Sequence, residues 1–156
     1  MMRYLIAHGA DVTAKDLDDE TPLHIAASHG DKSTVKCLLK HDANINATNF
    51  DKKTSLHVAA SHGDKRMVQF LLEHGADISA TDSKGRTAFH FAASDGNEGM
   101  LLLLMHHHAD IDARNLNVFG KKSSARAPFK LILSRSEVYS GFVRTTWPLA
   151  NTFAPS

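Results

Sequence analysis

The sequence predicts an all-α repeat solenoid built from helix–turn–helix pairs joined by hairpin loops, with an irregular C-terminal tail. Two observations carry this. A ten-residue segment recurs at a constant step of 33 residues: TPLHIAASHG from Thr21, TSLHVAASHG from Thr54 and TAFHFAASDG from Thr87. A second segment keeps the same step: YLIAHGADVTA from Tyr4, CLLKHDANINA from Cys37, FLLEHGADISA from Phe70 and LLMHHHADIDA from Leu103. Self-similarity at a fixed period of this size is the signature of stacked repeat units.

One unit reads as follows. Thr21 offers a hydroxyl to cap a helix, and Pro22 suits the first helical position, where its missing N–H is no loss. Leu23, Ile25, Ala26 and Ala27 make this short helix apolar, with small alanines permitting close approach. Gly30 accepts the left-handed conformation that ends it. Asp31 is placed to cap a second helix, on which Val35, Cys37, Leu38 and Leu39 recur at helical spacing. The run Asp42-Ala43-Asn44 breaks that helix, and residues 49–53 form a polar hairpin leading to the next threonine. A single unit of this kind cannot bury both its faces, so units must stack.

These segments resemble the ankyrin repeat, through Thr-Pro-Leu-His-x-Ala, a following Gly, Leu-Leu and Gly-Ala-Asp. Thr21-Pro22-Leu23-His24 with Ala26 matches outright; Ser55 replaces the proline in the next unit, and Ala88-Phe89 replaces Pro-Leu in the third. The resemblance divides the chain into a half repeat at 1–15, repeats at 16–48, 49–81 and 82–114, and a non-repeat tail at 115–156. It implies that His24, His57 and His90 bond across repeats and hold the loops.

Where the array starts and stops is irregular. Met2, Tyr4, Leu5 and Ile6 occupy the places of Val35, Cys37, Leu38 and Leu39, with no first helix before them. This is expected of a truncated piece of a longer repeat protein; the alternative is a frayed but genuine start. Residues 1–114 hold 12 Lys/Arg against 16 Asp/Glu, whereas 115–156 hold 6 against 1, so the tail differs in nature from the array. The tail reads as poorly ordered. The alternative is that Phe129-Lys130-Leu131-Ile132-Leu133 covers the last helix, whose run Met100 to Met105 is apolar on every side. Leu102 stands there where Lys36 and Gln69 sit on a solvated face.

Composition excludes several classes. The net charge of +1 predicts no nucleic acid or membrane surface. The basic run 121–126 (KKSSAR) lacks interleaved aromatics, which again speaks against nucleic acid. No apolar run approaches the roughly 18 residues of a membrane span. The single cysteine, Cys37, permits no internal disulfide and leans to a reducing, intracellular setting, cytoplasmic or nuclear.

No cofactor or metal is expected, and no enzyme. The 11 histidines mostly fall in rows of one per layer: His8, His41, His74 and His107; His24, His57 and His90; His29 and His62. A metal site needs ligands that converge, and such rows do not. His106-His107-His108 is the one cluster, and consecutive helical residues point apart. A histidine-based metal or proton sensor is the remaining reading of this richness. Asp18-Asp19-Glu20 lacks a base, nucleophile or calcium-loop spacing and reads as a solvated run.

The expected function is a monomeric module that binds another protein. The resemblance implies binding through hairpin tips and the exposed side of the first helices, which line one concave face. Carried over, this gives Leu17, Asp18, Glu20, Ser28 and His29 from the first full repeat. Phe50, Asp51, Lys53, Ser61 and His62 follow from the second, and Ser83, Lys84, Arg86, Ser94 and Asp95 from the third. Leu17 and Phe50 are apolar where such repeats expose polar residues; each is either a binding hot spot or folded back on its own hairpin. The tips change sign along the stack, from Asp18-Asp19-Glu20 through Asp51-Lys52-Lys53 to Lys84 and Arg86, which predicts an oriented partner.

Overall fold

The computed structural model describes residue 4 and residues 8–107. Six α-helices follow one another over this stretch: α1 Pro22–Ser28, α2 Lys32–Lys40, α3 Ser55–Ser61, α4 Lys65–Glu73, α5 Ala88–Ser94 and α6 Glu98–His106. The described residues contain no strand. Each seven-residue helix packs against the nine-residue helix that follows it, and α1 packs on α3 and α3 on α5. The alanine pairs Ala26-Ala27, Ala59-Ala60 and Ala92-Ala93 are all buried between these helices, and only side chains this small let the backbones come so close. Leu23, Leu56 and Phe89, with Leu38, Leu71 and Leu104, fill the rest of one continuous core.

The structure adjusts one expectation about this core and adds one residue to it. Ile25, read as part of the apolar helix face, is 39% exposed, because the seven-residue helix buries only the side carrying Leu23, Ala26 and Ala27. Thr34, unremarked in the sequence, is buried and donates its hydroxyl to Asp31 Oδ2 at 2.6 Å. The cap expected of Asp31 is present: Oδ1 accepts the Thr34 N–H at 3.0 Å. Asp64 and Asn97 repeat it at the N–H groups of Met67 and Met100. The Thr34 hydroxyl first, then the Thr34 N–H and the Ser33 hydroxyl, pull the Asp31 carboxyl down to about 2.

The first helices are started by a histidine rather than by the threonine hydroxyl alone. Thr21 N–H donates to His24 Nδ1 at 3.2 Å, with Thr21 Oγ1 lying 2.9 Å from the same nitrogen. His24 is the third helical residue, so it fills the place that Glu or Gln takes in a capping box. The other ring nitrogen reaches across the repeat boundary: Nε2–H donates to the carbonyl of Lys53 at 2.9 Å. His57 does the same with Thr54 and with the carbonyl of Arg86, at 3.1 and 3.0 Å. His90 repeats the contact to Thr87. The expectation that this histidine row ties loops across repeats thus holds for His24 and His57.

The network dictates the tautomer. A carbonyl only accepts, so Nε2 carries the proton and Nδ1 is the acceptor; a cationic ring would aim a second N–H at the threonine N–H. Burial is the main cause that holds His24, His57 and His90 below their ordinary value, and at His24 and His57 it outweighs the pull of the backbone carbonyl and nearby carboxylates.

Local conformations follow the repeat even where one residue type does not. Gly30, Gly63 and Gly96 all sit at positive φ after the first helices, at 68°, 69° and 65°. After the second helices Gly75 stands at φ 89°, but the equivalent position holds Asp42 at φ 62°. The side chain there is forced into a region that favours glycine. Leu102 is exposed at 42% on α6, as its place in the repeat predicts. The proposed cover for it, residues 129–133, lies outside the described residues, as do His108 and the whole tail 115–156.

Three measurements test this account. Asp42→Gly should raise stability by about 0.5–1 kcal/mol by relieving the left-handed aspartate, read as a higher denaturant midpoint. A Cβ on Gly30 would meet Asp64 Oδ2 at 2.9 Å, whereas one on Gly96 meets nothing within 4 Å. Both Gly30→Ala and Gly96→Ala should therefore cost about 1–2 kcal/mol for the left-handed backbone, with Gly30→Ala the costlier by the shift it demands of the Asp64 carboxylate. Finally, a histidine depressed in the folded state binds protons more readily when unfolded. The stability it contributes is complete above the unfolded value near 6.5 and is lost as pH falls below that. The melting temperature should be flat above pH 7 and decline between about pH 6.5 and 5, and His24→Gln/His57→Gln should flatten the decline.

Candidate functional site

The surface in question consists of the three tips that precede the first helices, and the outward sides of those helices. Each tip is closed by an Asx residue that the sequence reading passed over. Asp16 Oδ1 accepts the N–H groups of Asp18 and Glu20, at 2.9 and 2.8 Å. Asn49 Oδ1 accepts those of Asp51 and Lys53, and Asp82 Oδ1 those of Lys84 and Arg86. The turn residues Asp19, Lys52 and Gly85 take positive φ. The available signal was the 33-residue step itself, since Asp16, Asn49 and Asp82 keep it with a side chain suited to bonding backbone two residues on.

Neighbouring tips are joined directly. Phe50 N–H donates to the carbonyl of Asp18 at 3.0 Å, and Ser83 N–H to that of Asp51 at 2.7 Å. Together with the histidine bonds to Lys53 and Arg86, these hold three tips in a row at fixed spacing. Leu17 and Phe50 project from the row at 104% and 81% exposure, so neither folds back on its hairpin. Asp18 and Asp51 beside them are exposed, Glu20 is half-buried, and Glu20 Oε1 lies 3.4 Å from Asn49 Nδ2.

The cations are placed differently from what their sequence positions suggest. Arg86 is not a free charge: Nη2 lies 2.7 Å from Asp82 Oδ2, and Nε donates to the same oxygen at 2.9 Å. Its guanidinium also stacks 4.6 Å from the Phe91 centroid, whose ring meets that of His57 edge-on at 5.9 Å. Burial pushes the Asp82 carboxyl up. The Arg86 N–H, the guanidinium and the Lys84 N–H outweigh that and hold it below the ordinary carboxylate value. Lys53 is half-buried and pairs with Asp51 at 3.3 Å. Lys15 pairs with Asp19 at 3.5 Å. Lys84 is the exposed cation of the third tip.

On the first helices, Ser28, Ser61 and Ser94 with His29, His62 and Asp95 occupy the last turn; Ser28 is half-buried and the others are exposed. Ser28 and Ser61 donate back to the carbonyls of Ile25 and Val58 at 2.8 Å. His29 and His62 donate Nδ1–H to the same two carbonyls, also at 2.8 Å, which leaves Nε2 as an outward acceptor. Residues three and four apart share a helix face, so Ile25, Val58 and Phe91 line the same side as these polar residues. Within that row Ile25 is exposed and Phe91 half-buried, whereas Val58 is buried.

No group of three or more metal-ligating side chains converges among the described residues, and no helix among them is long and apolar enough to cross a membrane. The arrangement offers shape, apolar anchors and fixed charge.

No curated protein shows significant similarity to the chain. The family described as ankyrin repeats matches it in three copies, over residues 1–82 and 48–115. Repeats of this family are generally protein–protein interaction modules and generally non-catalytic. The matched stretches span residues 1–115 of 156, and with the helix pairs, tips and histidine ties just described, the chain belongs to the ankyrin-repeat family.

Proposed function

We propose that this chain is a protein-interaction module, serving inside the cell as an adaptor or regulatory subunit, and that it holds its partner on the tips and the outward side of the first helices. The observation that carries this is the exposure of Leu17 and Phe50 on a row of tips held rigid by inter-repeat hydrogen bonds. Large apolar side chains at full exposure gain nothing for folding, yet each gains free energy when a partner covers it. Because the tips are already ordered, little conformational entropy is lost on binding.

The contact surface in this reading comprises Leu17, Asp18 and Glu20 with Ser28 and His29. It continues through Phe50, Asp51 and Lys53 with Ser61 and His62, and ends at Lys84, Ser94 and Asp95. Arg86 contributes by holding the third tip in shape against Asp82, so its substitution reports on structure as well as binding.

The test is affinity capture of interacting proteins by the full chain, comparing wild type with Leu17→Ala/Phe50→Ala/Lys84→Glu at matched melting temperature. The three positions are exposed, so the variant should keep wild-type stability within about 0.5 kcal/mol. A partner held by wild type should be lost or weakened by about tenfold or more, as expected when anchor residues are truncated. Equal retention by the two proteins would sink the assignment of this surface.

A further inference from the structure

We propose that the Leu17–Phe50 pair docks a peptide segment of the partner in which apolar anchors stand beside Lys or Arg. This rests on the reading of the tips as the binding surface and adds the chemistry of the occupant. The apolar patch has definite bounds: the equivalent position on the third tip is Ser83, so the two large side chains stand at one end of the row. The bond from Phe50 N–H to the Asp18 carbonyl holds their two tips side by side. Equivalent points on packed helical units lie on the order of 10 Å apart. In a segment of polyproline II conformation, with three residues per turn, side chains three residues apart share one face and span about 9 Å, a similar distance.

The sign of the occupant follows from which charges are already matched. Around the patch, three cations of the row are engaged within it, Lys53 with Asp51, Arg86 with Asp82 and Lys15 with Asp19, while Lys52 is exposed on the second tip with no ion pair among those described. Asp18, adjacent to Leu17, is exposed, and no cation is paired with its carboxylate among the described ion pairs. Asp16 is exposed in the same tip and Glu20 is half-buried. The first tip, which carries Leu17, is therefore the acidic end, while the exposed Lys52 and Lys84 lie on the second and third tips. An acidic segment laid over Leu17 and Phe50 would meet these carboxylates at short range, and a basic one would be drawn to them. A row of this polarity also sets direction, with the partner's cations over the first tip.

The experiment uses the full chain and three synthetic fluorescent peptides that share two leucines three residues apart. The leucines are flanked by lysine in one peptide, serine in the second and glutamate in the third. The lysine peptide should bind at least about tenfold more tightly than the glutamate peptide at low salt, an advantage that shrinks by about 0.5 M salt. Leu17→Ala/Phe50→Ala should weaken it by about tenfold, and Asp18→Lys should abolish the preference for lysine. Both variants change exposed side chains, and unchanged melting would confirm that they fold.

Equal binding of the three peptides, or tighter binding of the glutamate peptide, lost in Leu17→Ala/Phe50→Ala, would overturn the charge assignment while leaving the tips as a binding surface. Lysine-peptide binding that ignores Leu17→Ala/Phe50→Ala would overturn both. Failure of all three peptides to bind would overturn this inference, with the capture experiment judging the broader reading separately.

Discussion

The interaction on which the rest of the structure depends is a neutral imidazole that serves two repeats at once. His24 and His57 each accept the N–H of the threonine that starts their own helix, and each donates to a backbone carbonyl in the next tip. The two halves of the ring impose different requirements: one nitrogen must be bare and the other protonated, so the ring works only when uncharged. Burial enforces that state. The same ring therefore starts a helix, sets the register between units and anchors the following tip. A side chain with a single polar end could not do all three.

Because the tips are held from below by histidine and from the side by one another, they behave as a rigid row. Core packing is left to small and branched residues that repeat almost without change, including the alanine pairs and Leu23, Leu56 and Phe89. The variable positions are those that project outward. This separation explains how Leu17 and Phe50 are tolerated in full solvent contact: nothing in the core is built on them, and the backbone that carries them is fixed by Asx turns and inter-tip bonds. The third unit uses its variable positions differently. Arg86, Asp82 and Phe91 form a cluster that braces the tip against its own helix, so a charge that reads as available for a partner is consumed within the fold.

Much of this architecture was legible beforehand, because a 33-residue step constrains many positions at once. Thr21, Gly30 and Asp31 identify their roles by residue type, and the structure places them in those roles. The cross-repeat role of His24 and His57 came from family resemblance, and its physical content, one ring with two obligate partners, is visible only with both partners in place. Thr34 and Ile25 were harder. Ile25 is 39% exposed while Val58, its equivalent in the middle unit, is buried, so the recurrence of apolar residues does not tell which of them face outward. The Asx closures at Asp16, Asn49 and Asp82 were present in the period but went unread, because acidic and amide residues in a polar loop look alike whether they bind backbone or water.

By itself the sequence determined the 33-residue step, the family it belongs to, and the residues at which the described helices start and stop. Those follow from local chemistry and a repeating step. Only the tertiary structure decided which charges are free and which apolar residues are exposed. These depend on distances between residues in different units, such as Phe50 to Asp18, or on which of several nearby partners a side chain reaches, as with Arg86 turning to Asp82. Periodicity specifies that units stack, but how exposed side chains pair across the stacked surface is settled by three-dimensional proximity.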